Sequence, residues 1–204
     1  DREERRGGDG FGGVEYVPGA LIRRALSSFV RSPLRAFLVI VSVSVTLFVV
    51  CAPIAVSRFP PMTDLPFHAA HASILRHYWD PAWHFHEQFE LRPIAVPYLL
   101  HYALGALLML VMKPLAAVKT ATVLVLMLVP GGMAVLLHGM KRSPLGALLT
   151  LPLAYSTLAH WGFINFIGAL GLFAASVGLA MMVVDRPTRA RRIGLATALV
   201  LLFF

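Results

Sequence analysis

Asp64, His68 and His71 follow one another at i, i+4 and i+7, so on a helix beginning near Thr63 their side chains share one face. A carboxylate one turn from an imidazole suits a general base whose proton the histidine orients or shares. Asp64 and His68 are therefore the catalytic candidates, and His71 is close enough to touch a substrate. The competing reading leaves all three as wetted polar groups where a loop meets lipid headgroups. Thr63 is placed to cap the helix, and Pro66 suits its first turn.

The surrounding stretch, 60–93, holds five of the eight histidines of the chain. His84 and His86 flank Phe85, with Glu87 and Glu90 close behind. Together with His68 and His71 they offer nitrogen and oxygen ligands for zinc or another divalent metal ion. No spacing of the His-Glu-x-x-His kind is present, so ordinary interfacial histidines are the simpler reading and no metal ligand is assigned. Tyr78, Trp79, Trp83, Phe85 and Phe89 read as an aromatic belt at a membrane interface, with a sugar-stacking platform as the alternative. Arg76, Arg92, Lys113 and Lys119, the outer cations besides Arg58, are candidates for binding a lipid-linked phosphate. Arg92 comes first, because Pro93 fixes the chain where an apolar helix begins. Contact with headgroups would explain the same cations.

These residues need a mount, and composition says what it is. The 204 residues are 58% hydrophobic and 14% charged, with a mean hydropathy of +0.75, whereas soluble domains carry about 25% charged residues. The chain reads as an all-α, polytopic transmembrane helix bundle. Its net charge of +8 lies in short clusters between apolar runs, as expected of charges that orient spans, and this excludes nucleic acid as a partner. Cys51 stands alone inside an apolar run, so no disulfide framework exists.

Three regions follow. Residues 1–18 combine charge with glycine and read as a disordered, basic cytoplasmic tail. Residues 19–35 place Leu21, Ile22, Ala25, Leu26, Phe29 and Val30 on one face, with Arg23, Arg24 and Arg31 elsewhere, as in an amphipathic juxtamembrane helix; a plain linker is the alternative. Residues 36–204 form the transmembrane domain, with an outer loop at 57–117 that carries short juxtamembrane or re-entrant helices. Ala36–Val56 is the first span. Ile94–Met112 is long enough to cross, but crossing would divide the basic residues evenly between the two sides. A re-entrant or surface-lying helix keeps most of them with the N-terminus in the cytoplasm, so that arrangement is expected. The later spans are then Val118–Leu137, interrupted at Pro130, Gly131 and Gly132 by a kink or close helix contact, Pro144–Ala159 running back, and Phe163–Val184. His160, Trp161 and Gly162 make a tight outer turn, with Asn165 just beyond. The apolar run from Ile193 falls short of a span, so further protein is expected after residue 204, as are further membrane subunits.

This order of parts resembles the amino-terminal half of a GT-C membrane glycosyltransferase over about residues 36–190. The resemblance rests on one span, a loop opening Pro60-Pro61-Met62-Thr63-Asp64-Leu65-Pro66-Phe67-His68, and a surface helix opening Arg92-Pro93-Ile94-Ala95-Val96-Pro97-Tyr98. It continues in the basic pair Lys141 and Arg142, the Pro152-x-x-Tyr155 element and the Trp161, Gly162, Asn165 turn. It implies that Asp64 is the first-loop acid, acting as base or metal partner, and that the donor is a polyprenyl-phosphate-linked sugar. It also implies that Tyr98 joins the substrate site. Where the family often has a second-loop acid, this chain offers His160 and Asn165 as substrate contacts. The cofactor is unknown, with a divalent metal ion possible in principle, and the expected location is the inner (cytoplasmic) membrane.

Overall fold

Pro33 opens the first helix, α1 (Pro33–Val56), at a position where its missing N–H would be unpaired anyway. The predicted start at Ala36 therefore moves back to Pro33. The computed structural model describes residues 33–58, 60, 62–92 and 99–204. The predicted tail 1–18, residues 19–32 of the predicted amphipathic helix, and Tyr98 lie outside the described residues. By its internal contacts the chain falls into two units, Asp1–Ile40 and Val41–Phe204. Of the first, only the opening turns of α1 are described; the second holds the rest of α1 and every later element.

Within the second unit, α1 buries Thr46, Val50 and Ile54, a stripe at every fourth residue, and leaves Phe48 exposed. Pro53 interrupts the hydrogen-bond ladder of the helix, and the Tyr155 hydroxyl donates to the Val50 carbonyl at 2.9 Å. At the helix end the Lys119 ammonium donates to the carbonyls of Ala55 at 3.2 Å and Ser57 at 2.7 Å. A cation on the open carbonyls of a helix C-terminus complements its dipole. Lys119 thus secures the end of the first span.

Three short helices follow: α2 (Leu65–Arg76), α3 (Phe85–Gln88) and α4 (Leu99–Leu108). The 10 described residues of α4 extend about 15 Å, half of the ~30 Å hydrocarbon core, and the opening residues of the predicted Ile94–Met112 segment lie outside the described residues. The helix α4 packs against α2. Next come α5 (Pro114–Gly139), a 3₁₀ segment (Pro144–Tyr155), α6 (Thr157–Trp161), α7 (Ile164–Asp185) and α8 (Arg189–Phe203). Among the described residues, α1, α5 and α7 are the three helices long and apolar enough to cross a membrane. The protein is an all-α helical bundle of membrane type.

The glycines set the direction of α5 and α7. A Cβ on Gly132 would run into the Gly171 carbonyl, and one on Gly139 would lie 2.6 Å from the Gly178 carbonyl. Both pairs climb in the same sense, so the two helices are parallel and touch backbone to backbone, as small residues permit in a bilayer. Lys141, just past the end of α5, and Asp185, the last residue of α7, pair at 2.9 Å. The helix α5 runs on through Pro130, and of the two expectations for that stretch, the close contact is the one realised at Gly132.

Parallel neighbours require the chain to travel back along their whole length. The return was expected as an α-helical span over Pro144–Ala159. It is instead a 3₁₀ segment of 12 residues, which at about 2.0 Å per residue reaches ~24 Å, against ~18 Å for the same residues in an α-helix. The Ser143 side chain accepts from the Leu145 N–H at its start. The buried side chains Val50, Ile54, Val118, Val125, Leu126, Leu151 and Ile167 form one core between α1, α5, α7 and this return.

Candidate functional site

Asp64 occupies the position before the first residue of α2, with φ −91° and ψ 0° and no side-chain bond to its own helix. Capping needs a more extended backbone there, so the carboxylate is left free to face elsewhere. Thr63, the expected cap, precedes that position, while Pro66 lies in the first turn as expected. Among the described residues nothing donates to or pairs with the Asp64 carboxylate.

What the carboxylate faces is a cavity of about 490 Å³ lined by Asp64, His68, Tyr102, Leu158, Gly162, Phe163, Asn165 and Phe166. That volume is the size of a small-molecule site. Its polar groups come from α2, α4 and the start of α7, and its apolar walls from α6 and α7. The turn that joins α6 to α7 seats Asp64. The Thr63 N–H donates to the His160 carbonyl at 2.9 Å, and His68 Nε2 lies 2.8 Å from the Gly162 carbonyl. Gly162 has φ +95°, and a Cβ there would be 2.6 Å from the Asp64 Cβ. Only glycine combines a left-handed backbone with that approach. Gly162→Ala is expected to cost about 1–3 kcal/mol and to displace Asp64, read as a lower Tm together with lost activity. An unchanged Tm would show that the turn relaxes freely.

His68 is 8% exposed. A carbonyl only accepts, so Nε2 carries the proton and donates it to Gly162. Nδ1 lies 3.3 Å from the Tyr102 hydroxyl, within hydrogen-bond reach. Burial first, and then the charge of Asp64, hold the Tyr102 phenol above its ordinary pKa, which keeps it a donor. His68 therefore ties three elements together rather than sharing a proton with Asp64 directly.

Behind it, His101 is fully buried, with Nε2 3.0 Å from the Thr122 hydroxyl and its ring centroid 5.1 Å from that of His68. Burial, with the proximity of His68 second, lowers its pKa to about 3. Unfolded, the ring takes up a proton near pH 6.5; folded, it stays neutral. Its contribution to stability is thus complete above about pH 6.5 and is lost as pH falls toward about 3, at up to ~1.4 kcal/mol per pH unit. The thermal midpoint is expected to fall between pH 6.5 and 4 and to fall less steeply in His101→Gln. Equal slopes for the two proteins would contradict this.

The other residues singled out from sequence lie apart from the cavity, except Asn165, which lines it. His71 is exposed, its Nδ1 donating to the Phe67 carbonyl at 2.7 Å and its ring stacked on Tyr102 at 5.1 Å. Arg76 closes α2, about 18 Å along the helix from Asp64. Arg92 is bound to Glu90 at 2.7 Å. His160 borders a separate cavity of about 180 Å³ with Pro53, Met62 and Tyr155. His84 and His86 pair with Glu87 at 2.9 and 3.8 Å, and among the described residues no three His, Cys, Asp or Glu side chains gather as a metal site. Sequence reasoning missed Tyr102, Leu158, Phe163 and Phe166. The signal for Tyr102 was there, a polar residue beside His101 in an otherwise apolar helix.

Compared with protein-family models, curated proteins and solved structures, the chain matches none.

Proposed function

We propose that the chain is a membrane glycosyltransferase of the GT-C kind, which moves a sugar from a polyprenyl-phosphate donor to an acceptor hydroxyl with Asp64 as general base. The observation that carries this reading is one unengaged carboxylate lining a ligand-sized cavity beside Leu158, Phe163 and Phe166, where the apolar helix α7 begins. The acceptor oxygen attacks the anomeric carbon of the sugar, and its proton passes to Asp64. The bond from that carbon to the phosphate oxygen breaks, and the lipid phosphate leaves with the electron pair. Apolar walls lower the local dielectric and strengthen the pull of the carboxylate on that proton. Asn165 is placed to bond sugar or acceptor hydroxyls. On this reading the Asp64 end of the bundle faces the periplasm or cell exterior, and the N-terminus lies in the cytoplasm.

The test is reconstitution in liposomes with polyprenyl-phosphate sugars labelled in the sugar, together with lipid and peptide acceptors. Label in an acceptor supports the reading; no transfer from any donor to any acceptor by the folded protein overturns it. One observation favours a second reading: among the described residues no Lys or Arg lines the cavity, so the departing phosphate lacks a cationic partner among them. A non-catalytic assembly protein or a transporter subunit that holds a lipid in the same place needs none. Flux in proteoliposomes without any lipid-linked sugar supports that reading.

A further inference from the structure

We propose that the Asp64 cavity binds the ammonium group of an amphipathic molecule. The inference rests on the cavity and not on the transfer reaction; if both hold, the ammonium compound is the acceptor.

Charge gives the first reason. Among the described residues that line the cavity, Asp64 is the one carboxylate, His68 the one imidazole, and none is Lys or Arg; three of the cations toward this end of the bundle are occupied or distant. Lys119 is spent on the carbonyls of Ala55 and Ser57, Arg92 on Glu90, and Arg76 stands at the far end of α2. An entering anion would meet an uncompensated carboxylate, and an entering cation would be drawn to it.

The donors that an anion would need are also committed. The His68 Nε2–H is used by the Gly162 carbonyl, and the Tyr102 hydroxyl lies 3.3 Å from His68 Nδ1. Among the described side chains lining the cavity, the Asn165 amide is the one donor not engaged in this way. What the cavity offers in quantity is ring surface, from Tyr102, Phe163 and Phe166. A carboxylate with aromatic faces around it is the chemistry that holds substituted ammonium groups.

The third reason concerns the rest of the ligand. Asn165 and Phe166 also line a second cavity of about 210 Å³, whose other walls include Val125, Leu172 and Leu201. The two spaces therefore share the wall formed by Asn165 and Phe166, and the Asp64 cavity is itself lined largely by apolar side chains around its one carboxylate. A molecule with a charged head and a hydrocarbon tail fits that pair, its tail passing Phe166.

The probe is dodecyltrimethylammonium, with dodecyl glucoside and dodecyl phosphate as neutral and anionic partners of equal chain length. Their binding to the purified chain in a neutral detergent is measured by calorimetry. The ammonium probe is expected to bind at least about 10-fold more tightly than either partner. Asp64→Asn is expected to erase that preference, and Phe166→Leu, which keeps the carboxylate, to weaken the ammonium probe about 3–10-fold with little effect on the glucoside. Equal or tighter binding of the glucoside or phosphate by the wild-type chain overturns the proposal, and so does an ammonium preference that survives in folded Asp64→Asn. Binding is read without donor or turnover, so a failed transfer assay leaves this result standing, and the reverse.

Discussion

Asp64→Asn is expected to lower sugar transfer by roughly 10²–10⁴-fold, the usual contribution of a positioned general base, while the protein still folds and inserts. The substitution keeps the shape of the side chain and removes its basicity. Folding is expected to survive because the carboxylate makes no bond to its own helix, and the seat beneath it depends on Thr63 N–H and His68 instead. Asp64→Glu, which keeps the charge but moves it by one methylene, is expected to fall between the two. Turnover measured with the labelled lipid donor, beside a thermal unfolding curve for each variant, decides the matter. Full turnover in Asp64→Asn would remove this residue from the mechanism.

The largest effect on stability is expected at Gly171. A Cβ at this position would overlap the Leu128 carbonyl and crowd the Val129 nitrogen of α5, so a side chain forces two packed helices apart. Gly171→Leu is expected to cost more than about 3 kcal/mol, beyond ordinary overpacking, and to strip Val125, Leu126 and Ile167 of their neighbours. Gly131 is the control. It is exposed and has nothing within 4 Å of a built Cβ, so Gly131→Ala is expected to be neutral or to stabilise α5 by about 0.5–1 kcal/mol. Thermal unfolding of the two variants side by side checks both. Similar midpoints would mean that α5 and α7 do not depend on this contact.

Much of the architecture was legible before any coordinates. An uncharged apolar run of more than ~20 residues has few alternatives in a bilayer, so α1, α5 and α7 could be read directly. The return from Ser143 to Ser156 was less legible, because its sides are nearly all apolar. A run without a polar face has no periodicity that could separate 3₁₀ from α winding. The site was half legible for a related reason. Asp64, His68 and Asn165 carry polar groups in places where polarity is rare, and that is visible in one dimension. Phe163 and Phe166 look like span residues, and Tyr102 like part of a belt, until the turn at Gly162 meets the start of α2. Arg92 was attractive from its place before Pro93, but its neighbour Glu90 claims it first.

The bonds that seat Asp64 have a consequence for how this chain can vary. At the α6–α7 turn they end on the carbonyl oxygens of His160 and Gly162, which every amino acid possesses. The identities of residues 160 and 161 are therefore free to drift without unseating the acid, and a library randomised there should retain most of its members. Residue 162 has no such latitude, and a chain that loses its glycine must rebuild the corner from elsewhere.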